Sequence, residues 1–249
     1  MKLNTAKSSP PQKLLNSLLE HFQNGQFIEA EKLAKFITQK FPQNQFAFKV
    51  LGAVLRAKGL KSEAADANRE SVALSPDDSE AHNNLGVTLQ ELGRLEEAET
   101  SYNRAIALKT NYANAHFNLG NTLKEMRRLG EAEASYNKAI AFKPDYVGAY
   151  YNLGVTLHEQ GRLEEAETRY NRAIALKPDY AEAHNNLGVT LQEFSRLEEA
   201  EARYKQAIEL KPDYAEAHRN MRKTEKLDGK EREAERMYKQ DIVRKDERS

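Results

Sequence analysis

The chain has 249 residues, no cysteine, and 38 acidic and 38 basic side chains. The absence of cysteine excludes a disulfide framework, a cysteine-ligated zinc site and a thiol nucleophile, and the balanced charge gives no overall field that attracts nucleic acid or an anionic membrane. Residues 1–10 contain no apolar stretch, and no run of 18 apolar residues occurs anywhere. We therefore expect a soluble, cytoplasmic protein with a disordered N-terminus over residues 1–10.

An internal repeat of 34 residues organises the remaining sequence. The dipeptide Leu-Gly recurs at this interval, at positions 51–52, 85–86, 119–120, 153–154 and 187–188. Residues 79–112 and 181–214 are identical at 24 of 34 positions. Seven repeats, numbered 1 to 7 from the N-terminus, begin at residues 11, 45, 79, 113, 147, 181 and 215. A fixed period of this length is the signature of an architecture built from stacked structural repeats.

Each repeat contains two predicted amphipathic helices. In repeat 3 the first apolar stripe runs from Ala81 to Leu92, and the second runs from Leu95 to Ile106. Gly93 lies between them and can adopt the left-handed conformation that ends a helix. The sequence therefore predicts one helical hairpin in every repeat.

The boundary between repeats carries its own signals. Pro178 is expected to stop the outgoing helix, and Asp179 is expected to cap the incoming one. Glu182 follows at the spacing of a capping box. The same residue types at 213 and 216 predict an equivalent cap for the next repeat.

Glycine recurs in the middle of the first helices, where it costs about 1 kcal/mol relative to alanine. This cost at every copy predicts close helix–helix contact, and we expect the facing residues to be the alanines of the second helices. The glycines are Gly86, Gly120, Gly154 and Gly188, and the alanines are Ala98, Ala132, Ala166 and Ala200.

The fold class follows from the size of the repeat. One hairpin of this length cannot bury enough apolar surface to fold alone, so neighbouring hairpins must stack into a continuous core. We therefore predict an all-α protein, an α-solenoid. Residues 11–78 form two divergent repeats, residues 79–214 form four regular repeats, and residues 215–249 form degenerate capping helices and a tail.

The repeat consensus resembles that of the tetratricopeptide repeat (TPR) family. It has Leu, Gly and Leu at repeat positions 7, 8 and 11, Ala at 20, Tyr at 24, Ala at 27 and Pro at 32. This resemblance implies a right-handed superhelix whose first helices line a concave groove. The nearly uniform repeats also resemble the N-terminal arrays of bacterial TPR-fused glycosyltransferases of the O-GlcNAc transferase type, and of TPR-fused sulfotransferases.

Residues suited to chemistry are scarce. His82, His116, His184 and His218 share repeat position 4, and residues one repeat apart are too distant to share a metal ion, so we interpret them as packing residues. The Glu-Glu-Ala-Glu clusters at the starts of second helices are interpreted as a solvated face. No phosphate loop, metalloprotease motif or nucleophile elbow is present. We predict a protein that is not an enzyme and has neither a metal nor a cofactor.

A row of asparagines at repeat position 6 is the main candidate binding feature. An asparagine amide can donate to and accept from the backbone of an extended peptide at the same time, and the row resembles the asparagine ladder of O-GlcNAc transferase. Alternatively, the row ties adjacent repeats together. Its members are Asn84, Asn118, Asn152, Asn186 and Asn220.

The positions around this row complete the predicted peptide-binding surface. Exposed aromatic side chains in a concave surface are favoured anchors for a partner, although these rings could instead pack between helices. The surrounding candidates are Phe117, Tyr151, Asn121, Lys124 and His158.

Three functions are consistent with the sequence. The first is a non-catalytic scaffold that binds an extended peptide or a partner helix in the groove. The alternative is a module that presents substrates to a glycosyltransferase or sulfotransferase acting in trans. A third is weak end-to-end self-association through the last repeat. Neither nucleic acid nor a membrane is an expected partner.

Overall fold

A computed structural model of the chain describes residues 9–229. The chain divides into two compact units, an N-terminal unit of residues 1–142 and a C-terminal unit of residues 143–249. All regular secondary structure in the described residues is helical. The predictions for residues 1–8 and for the part of the C-terminal capping segment after residue 229 lie outside the described residues.

Two helices form in every complete repeat that the structure describes. The N-terminal unit contains α1 (Gln12–Gln23), α2 (Phe27–Lys40), α3 (Gln45–Ala57), α4 (Lys61–Leu74), α5 (Ser79–Glu91), α6 (Leu95–Leu108), α7 (Ala113–Glu125) and α8 (Leu129–Phe142). The C-terminal unit contains α9 (Val147–Glu159), α10 (Leu163–Leu176), α11 (Ala181–Glu193) and α12 (Leu197–Leu210). Residues 215–229 are also helical. The predicted all-α stack of hairpins is confirmed within each unit.

The helices pack in a regular order that distinguishes two faces. Within each unit the first helix of a hairpin packs against the second, and the second packs against the first helix of the next hairpin, as in α3, α4 and α5. Within the N-terminal unit α1 also contacts α3, α3 contacts α5, and α5 contacts α7; in the C-terminal unit α9 contacts α11. Among the described helices no such contact joins successive second helices. The first helices therefore lie side by side along one face of each unit.

The mid-helix glycines make the close contact that the sequence predicts, but the facing residue is not alanine. A Cβ atom added at Gly120 would lie 2.6 Å from Cε1 of Tyr136. The same arrangement joins Gly86 to Tyr102, and Gly188 to Tyr204. The prediction of a facing alanine was wrong, because the ring of a tyrosine from the second helix packs against the glycine.

The turn between the two helices of a repeat requires a left-handed residue. Gly93 has a φ of 73°, which confirms its predicted role, and Gly161 has a φ of 75°. At the same repeat position Arg127 has a φ of 62° and Ser195 a φ of 57°. Residues other than glycine rarely adopt this backbone conformation, because their Cβ atom crowds the neighbouring carbonyl oxygen. Two of the six hairpins in the described residues therefore carry backbone strain that the other four lack.

Ser195→Gly is expected to raise the free energy of unfolding by about 0.5–1 kcal/mol, because the relief of left-handed strain exceeds the added entropy of the unfolded chain. The measurement is chemical denaturation of the two proteins under identical conditions. Gly161→Ser is the reciprocal control and should destabilise by a similar amount. Equal stabilities of all three proteins would contradict this explanation.

The caps of the first helices differ from the prediction. Tyr180, and not Asp179, occupies the N-cap of α11, and its side chain forms no capping bond. At the N-cap of α5 the aspartate stands at repeat position 34, one position later than Asp179, and this Asp78 accepts hydrogen bonds from the backbone N–H groups of Glu80 and Ala81 at 2.8 and 3.2 Å. The capping-box prediction was wrong by one residue, because the tyrosine at repeat position 34 takes the cap position.

Candidate functional site

The asparagine row lies on the first helices, as predicted, and each member is half-buried. Asn84 and Asn118 lie on α5 and α7 of the N-terminal unit. Asn152 and Asn186 lie on α9 and α11 of the C-terminal unit, and Asn220 lies on the helix that begins at residue 215. The backbone carbonyl of each accepts a hydrogen bond from a threonine hydroxyl one turn later, such as Thr122 Oγ1 to the Asn118 oxygen at 3.1 Å.

In the N-terminal unit one member of the row is held by a neighbouring repeat. Asn118 Nδ2 donates to Asn83 Oδ1 at 3.1 Å, which links α7 to α5. This bond uses one of the two N–H groups of Asn118. The second N–H remains for another partner, and so do both lone pairs of the carbonyl oxygen. The bond therefore fixes the orientation of the amide and leaves most of its hydrogen-bonding capacity available.

In the C-terminal unit the amides form a continuous chain of hydrogen bonds. Asn220 Nδ2 donates to Asn185 Oδ1 at 3.1 Å, and Asn185 Nδ2 donates to Asn186 Oδ1 at 3.2 Å. Asn186 Nδ2 then donates to the Tyr151 hydroxyl at 3.1 Å. The chain joins three first helices. The expectation that the row ties adjacent repeats together is therefore correct for Asn118, Asn186 and Asn220.

The two aromatic candidates pack against tyrosines of their own repeats and remain half-exposed. The ring of Phe117 lies 6.0 Å from that of Tyr136. The ring of Tyr151 lies 6.1 Å from that of Tyr170 and 4.8 Å from that of Tyr180. Burial raises the pKa of Tyr151, and the hydrogen bond from Asn186 lowers it by a smaller amount. Both rings thus have a fixed orientation on the first-helix face.

The sequence analysis did not predict that tyrosines of the second helices form hydrogen bonds to amide side chains of the first helices. The Tyr136 ring passes the glycine of α7, and its hydroxyl donates to Asn121 Oδ1 at 2.9 Å. The Tyr102 hydroxyl donates to Gln90 Oε1 at 3.1 Å in the same way. These bonds aim the amide oxygens of the two residues inward, toward the tyrosines. The sequence signal was a tyrosine at repeat position 24 together with an amide side chain at position 9 or 12.

The remaining two candidates lie at the C-terminal ends of first helices. Lys124 is a half-buried residue near the end of α7. His158 Nε2 lies 3.1 Å from Glu193 Oε1, although the alignment is not that of a hydrogen bond. Lys124 and His158 therefore occupy one edge of the face in each unit.

The row of histidines at repeat position 4 has a structural role, as predicted. His116 Nε2 lies 3.0 Å from the Thr110 carbonyl oxygen, and His184 Nε2 lies 3.0 Å from that of Pro178. Because a carbonyl oxygen only accepts, the ring nitrogen is the donor. Burial lowers the pKa of both imidazoles. Each neutral ring therefore stabilises the turn that precedes its own helix through one hydrogen bond.

Glu131, at the start of the second helix α8, is exposed and ion-paired. Arg128 Nε and Nη2 donate to the two oxygens of Glu131 at 2.7 and 2.6 Å, and Nη1 donates to Glu99 of the preceding repeat at 2.6 Å. The hydrogen bonds from Arg128 hold the pKa of the Glu131 carboxyl below its usual value. This arrangement agrees with the predicted solvated face.

The fold and this face define an all-α repeat protein whose first helices carry a row of oriented amides. Family models of the tetratricopeptide repeat match residues 16–79, 77–145, 135–168, 156–193 and 195–221. Together these matches cover most of the chain, which therefore belongs to the TPR family. No curated protein matches the chain.

Several solved TPR structures are similar to this chain. YrrB, a TPR protein with an unusual peptide-binding site, is 18% identical over 75% of this chain and 96% of its own, with a TM-score of 0.61. MamA is 27% identical over 66% of this chain and 96% of its own, with a TM-score of 0.62. PilF of Pseudomonas aeruginosa is 18% identical over 84% of this chain and 95% of its own, with a TM-score of 0.74. None of the described helices is long and apolar enough to span a bilayer.

Proposed function

We propose that the protein is a non-catalytic scaffold that binds an extended peptide or a partner helix along its first-helix face. The observation that carries this proposal is the oriented amide of Asn118, which is fixed by Asn83 and keeps an N–H group and an acceptor oxygen for a further partner. A peptide backbone offers the complementary donor and acceptor. Pre-orientation lowers the entropy that binding costs.

The same face offers anchors for the side chains of the partner. Phe117 and Tyr151 are half-exposed rings whose orientation is set by their tyrosine neighbours. Rigid aromatic residues supply large contact area at a small loss of side-chain freedom. We propose that each unit holds polypeptide in this way, with the backbone of the bound segment at Asn84 and Asn118 in the N-terminal unit and at Asn152 and Asn186 in the C-terminal unit. The side chains of the bound segment contact Phe117, Asn121 and Lys124 in the N-terminal unit, and Tyr151 and His158 in the C-terminal unit.

The comparisons support a partner that is itself a polypeptide. YrrB resembles this chain in fold and is described as having a peptide-binding site. Its identity of 18% supports the likeness of fold alone. The alternative function, presentation of a substrate to a glycosyltransferase or sulfotransferase in trans, would use the same face and rests only on the resemblance in sequence.

The test uses a peptide selected from a random display library against the full chain. Asn118→Ala is expected to weaken binding of this peptide at least about tenfold, because the amide that contacts its backbone is lost. Fluorescence anisotropy of the labelled peptide gives the dissociation constant, and a thermal melt by circular dichroism monitors folding.

Asn83→Ala is the matched control, since it breaks the same bond between repeats and leaves the Asn118 amide in place. This variant loses only the pre-orientation of the Asn118 amide, so the proposal expects it to keep affinity within about threefold of the original. Equal losses in the two variants, or full binding in both, would show that the row is purely structural.

A further inference from the structure

An open cleft of about 310 Å³ lies between α2 and α4, across one side of α3. Its floor is apolar and consists of Phe48, Leu51 and Leu55 of α3 and Ala67 of α4. These α3 positions form a stripe at spacings of three and four residues. The first-helix face instead uses repeat position 5, which Lys49 occupies in α3 and Phe117 and Tyr151 occupy in later repeats. The cleft is therefore separate from the first-helix face.

The rim of the cleft on α4 is acidic. Glu63, Asp66 and Glu70 line it, and all three are exposed. The only cation among the lining residues is Lys35, which pairs with Glu31 outside the cleft at a distance of 2.6 Å. Asp66 pairs with Arg69, which lies outside the lining, at 2.9 Å. Glu63 and Glu70 therefore give the rim its net negative charge.

The equivalent cleft two repeats further along the chain lacks the acidic rim. It lies between α6 and α8 over α7 and measures about 190 Å³. Ala134 and Lys138 stand there at the repeat positions of Asp66 and Glu70, and His116 replaces Phe48. Stacking of repeats does not require the acidic rim, because this second pair of helices packs without it.

The spacing of the carboxylates fits a helical ligand. Glu63, Asp66 and Glu70 follow one another at three and four residues, so they lie in a row about 10 Å long on one edge of α4. Lysines or arginines at the same spacing on another helix form a matching row. An apolar side chain beside that row would reach the floor at Phe48 and Leu51.

We propose that this cleft binds a basic amphipathic helix of a partner protein, with an apolar anchor on the α3 floor and cationic side chains along the α4 rim. Complementary charge sets the orientation and speeds association, while the anchor provides the affinity. This second site is independent of the peptide proposed for the first-helix face. The protein would then hold two partners at once, one on each surface.

The test uses a fluorescein-labelled, alanine-based helical peptide with three lysines at three- and four-residue spacing and a leucine beside them. The full chain is expected to bind this probe in a salt-dependent manner. The triple variant Glu63→Gln, Asp66→Asn, Glu70→Gln should bind it about tenfold more weakly. A probe with glutamates in place of the lysines should not bind.

A second triple variant, Glu96→Gln, Glu164→Gln, Asp179→Asn, is the matched control because it removes the same charge from exposed positions outside the cleft. It should keep affinity within about twofold of the original chain. Equal weakening in the two triple variants, or no binding of the lysine probe, overturns the proposal. Light scattering is measured in parallel, and a dimer that the cleft variant dissociates would assign the cleft to a second copy of the chain and also overturn it.

Discussion

Gly120→Ala is expected to lower the free energy of unfolding by about 2 kcal/mol, the cost of overpacking a close contact. The new Cβ would lie 2.6 Å from the Tyr136 ring, a separation that real side chains do not adopt. Tyr136 is fully buried, and its hydroxyl bonds to Asn121. The ring therefore cannot move away without breaking a contact. Denaturant titration followed by circular dichroism measures the effect.

Gly130→Ala is the matched control for this experiment. Gly130 lies in the first turn of α8, and a Cβ added there would meet no atom within 4 Å. Alanine has the higher helix propensity, so this variant should be unchanged or more stable by up to about 1 kcal/mol. Equal effects at the two positions would contradict the role of Gly120 as a contact that only glycine permits.

Alkaline unfolding is the second large effect that we expect. Burial raises the pKa values of Tyr102, Tyr170 and Tyr204, whose side chains are at most 1% exposed. It also raises the pKa of Tyr180, which lies partly exposed beside Tyr151, to about 12. A tyrosine whose pKa is higher in the folded chain stabilises the fold fully below the unfolded value of about 10, and this stabilisation is lost as the pH rises above it.

Tyr102, Tyr170 and Tyr204 should each lower the free energy of unfolding by about 1 kcal/mol between pH 10 and pH 11, because only the unfolded chain can release the proton in that range. Together they should lower the free energy of unfolding by about 3 kcal/mol. Urea titrations at successive pH values provide the measurement. Tyr170→Phe removes one phenol and should reduce this pH dependence by about a third. A stability that stays constant up to pH 11 would contradict the burial of these phenols.

The sequence predicts the fold in detail because a fixed period constrains every copy in the same way. The hairpins, the left-handed turn at Gly93 and the close approach at Gly120 all follow from residues that recur at one interval. The facing residue was predicted wrongly, since spacing alone does not show whether Ala132 or Tyr136 points at the glycine. The predicted cap at Asp179 was also wrong, because α11 begins one residue later than predicted and Tyr180 occupies its N-cap.

The candidate site could be predicted only in part. The first-helix position of the asparagine row follows from the repeat, but its hydrogen bonds do not. Asn118 bonds to Asn83, whereas Asn186 bonds to Tyr151. This difference arises because the residue at repeat position 5 changes from one repeat to the next. A partner on a neighbouring helix depends on side-chain orientation across the stack, which the periodicity of a single helix does not determine.

The position of the bound peptide tests the central proposal most directly. The chain has no cysteine, so one introduced thiol reports one site. Asn114→Cys places a thiol at an exposed position of the first helix α7, and Asn137→Cys places one at an exposed position of the second helix α8. A library-selected peptide whose cysteine is activated as a 2-pyridyl disulfide is expected to form a mixed disulfide with Asn114→Cys and not with Asn137→Cys, by thiol–disulfide exchange that releases pyridine-2-thione. Preferential trapping at Asn137→Cys, or equal trapping at both, would contradict binding on the first-helix face.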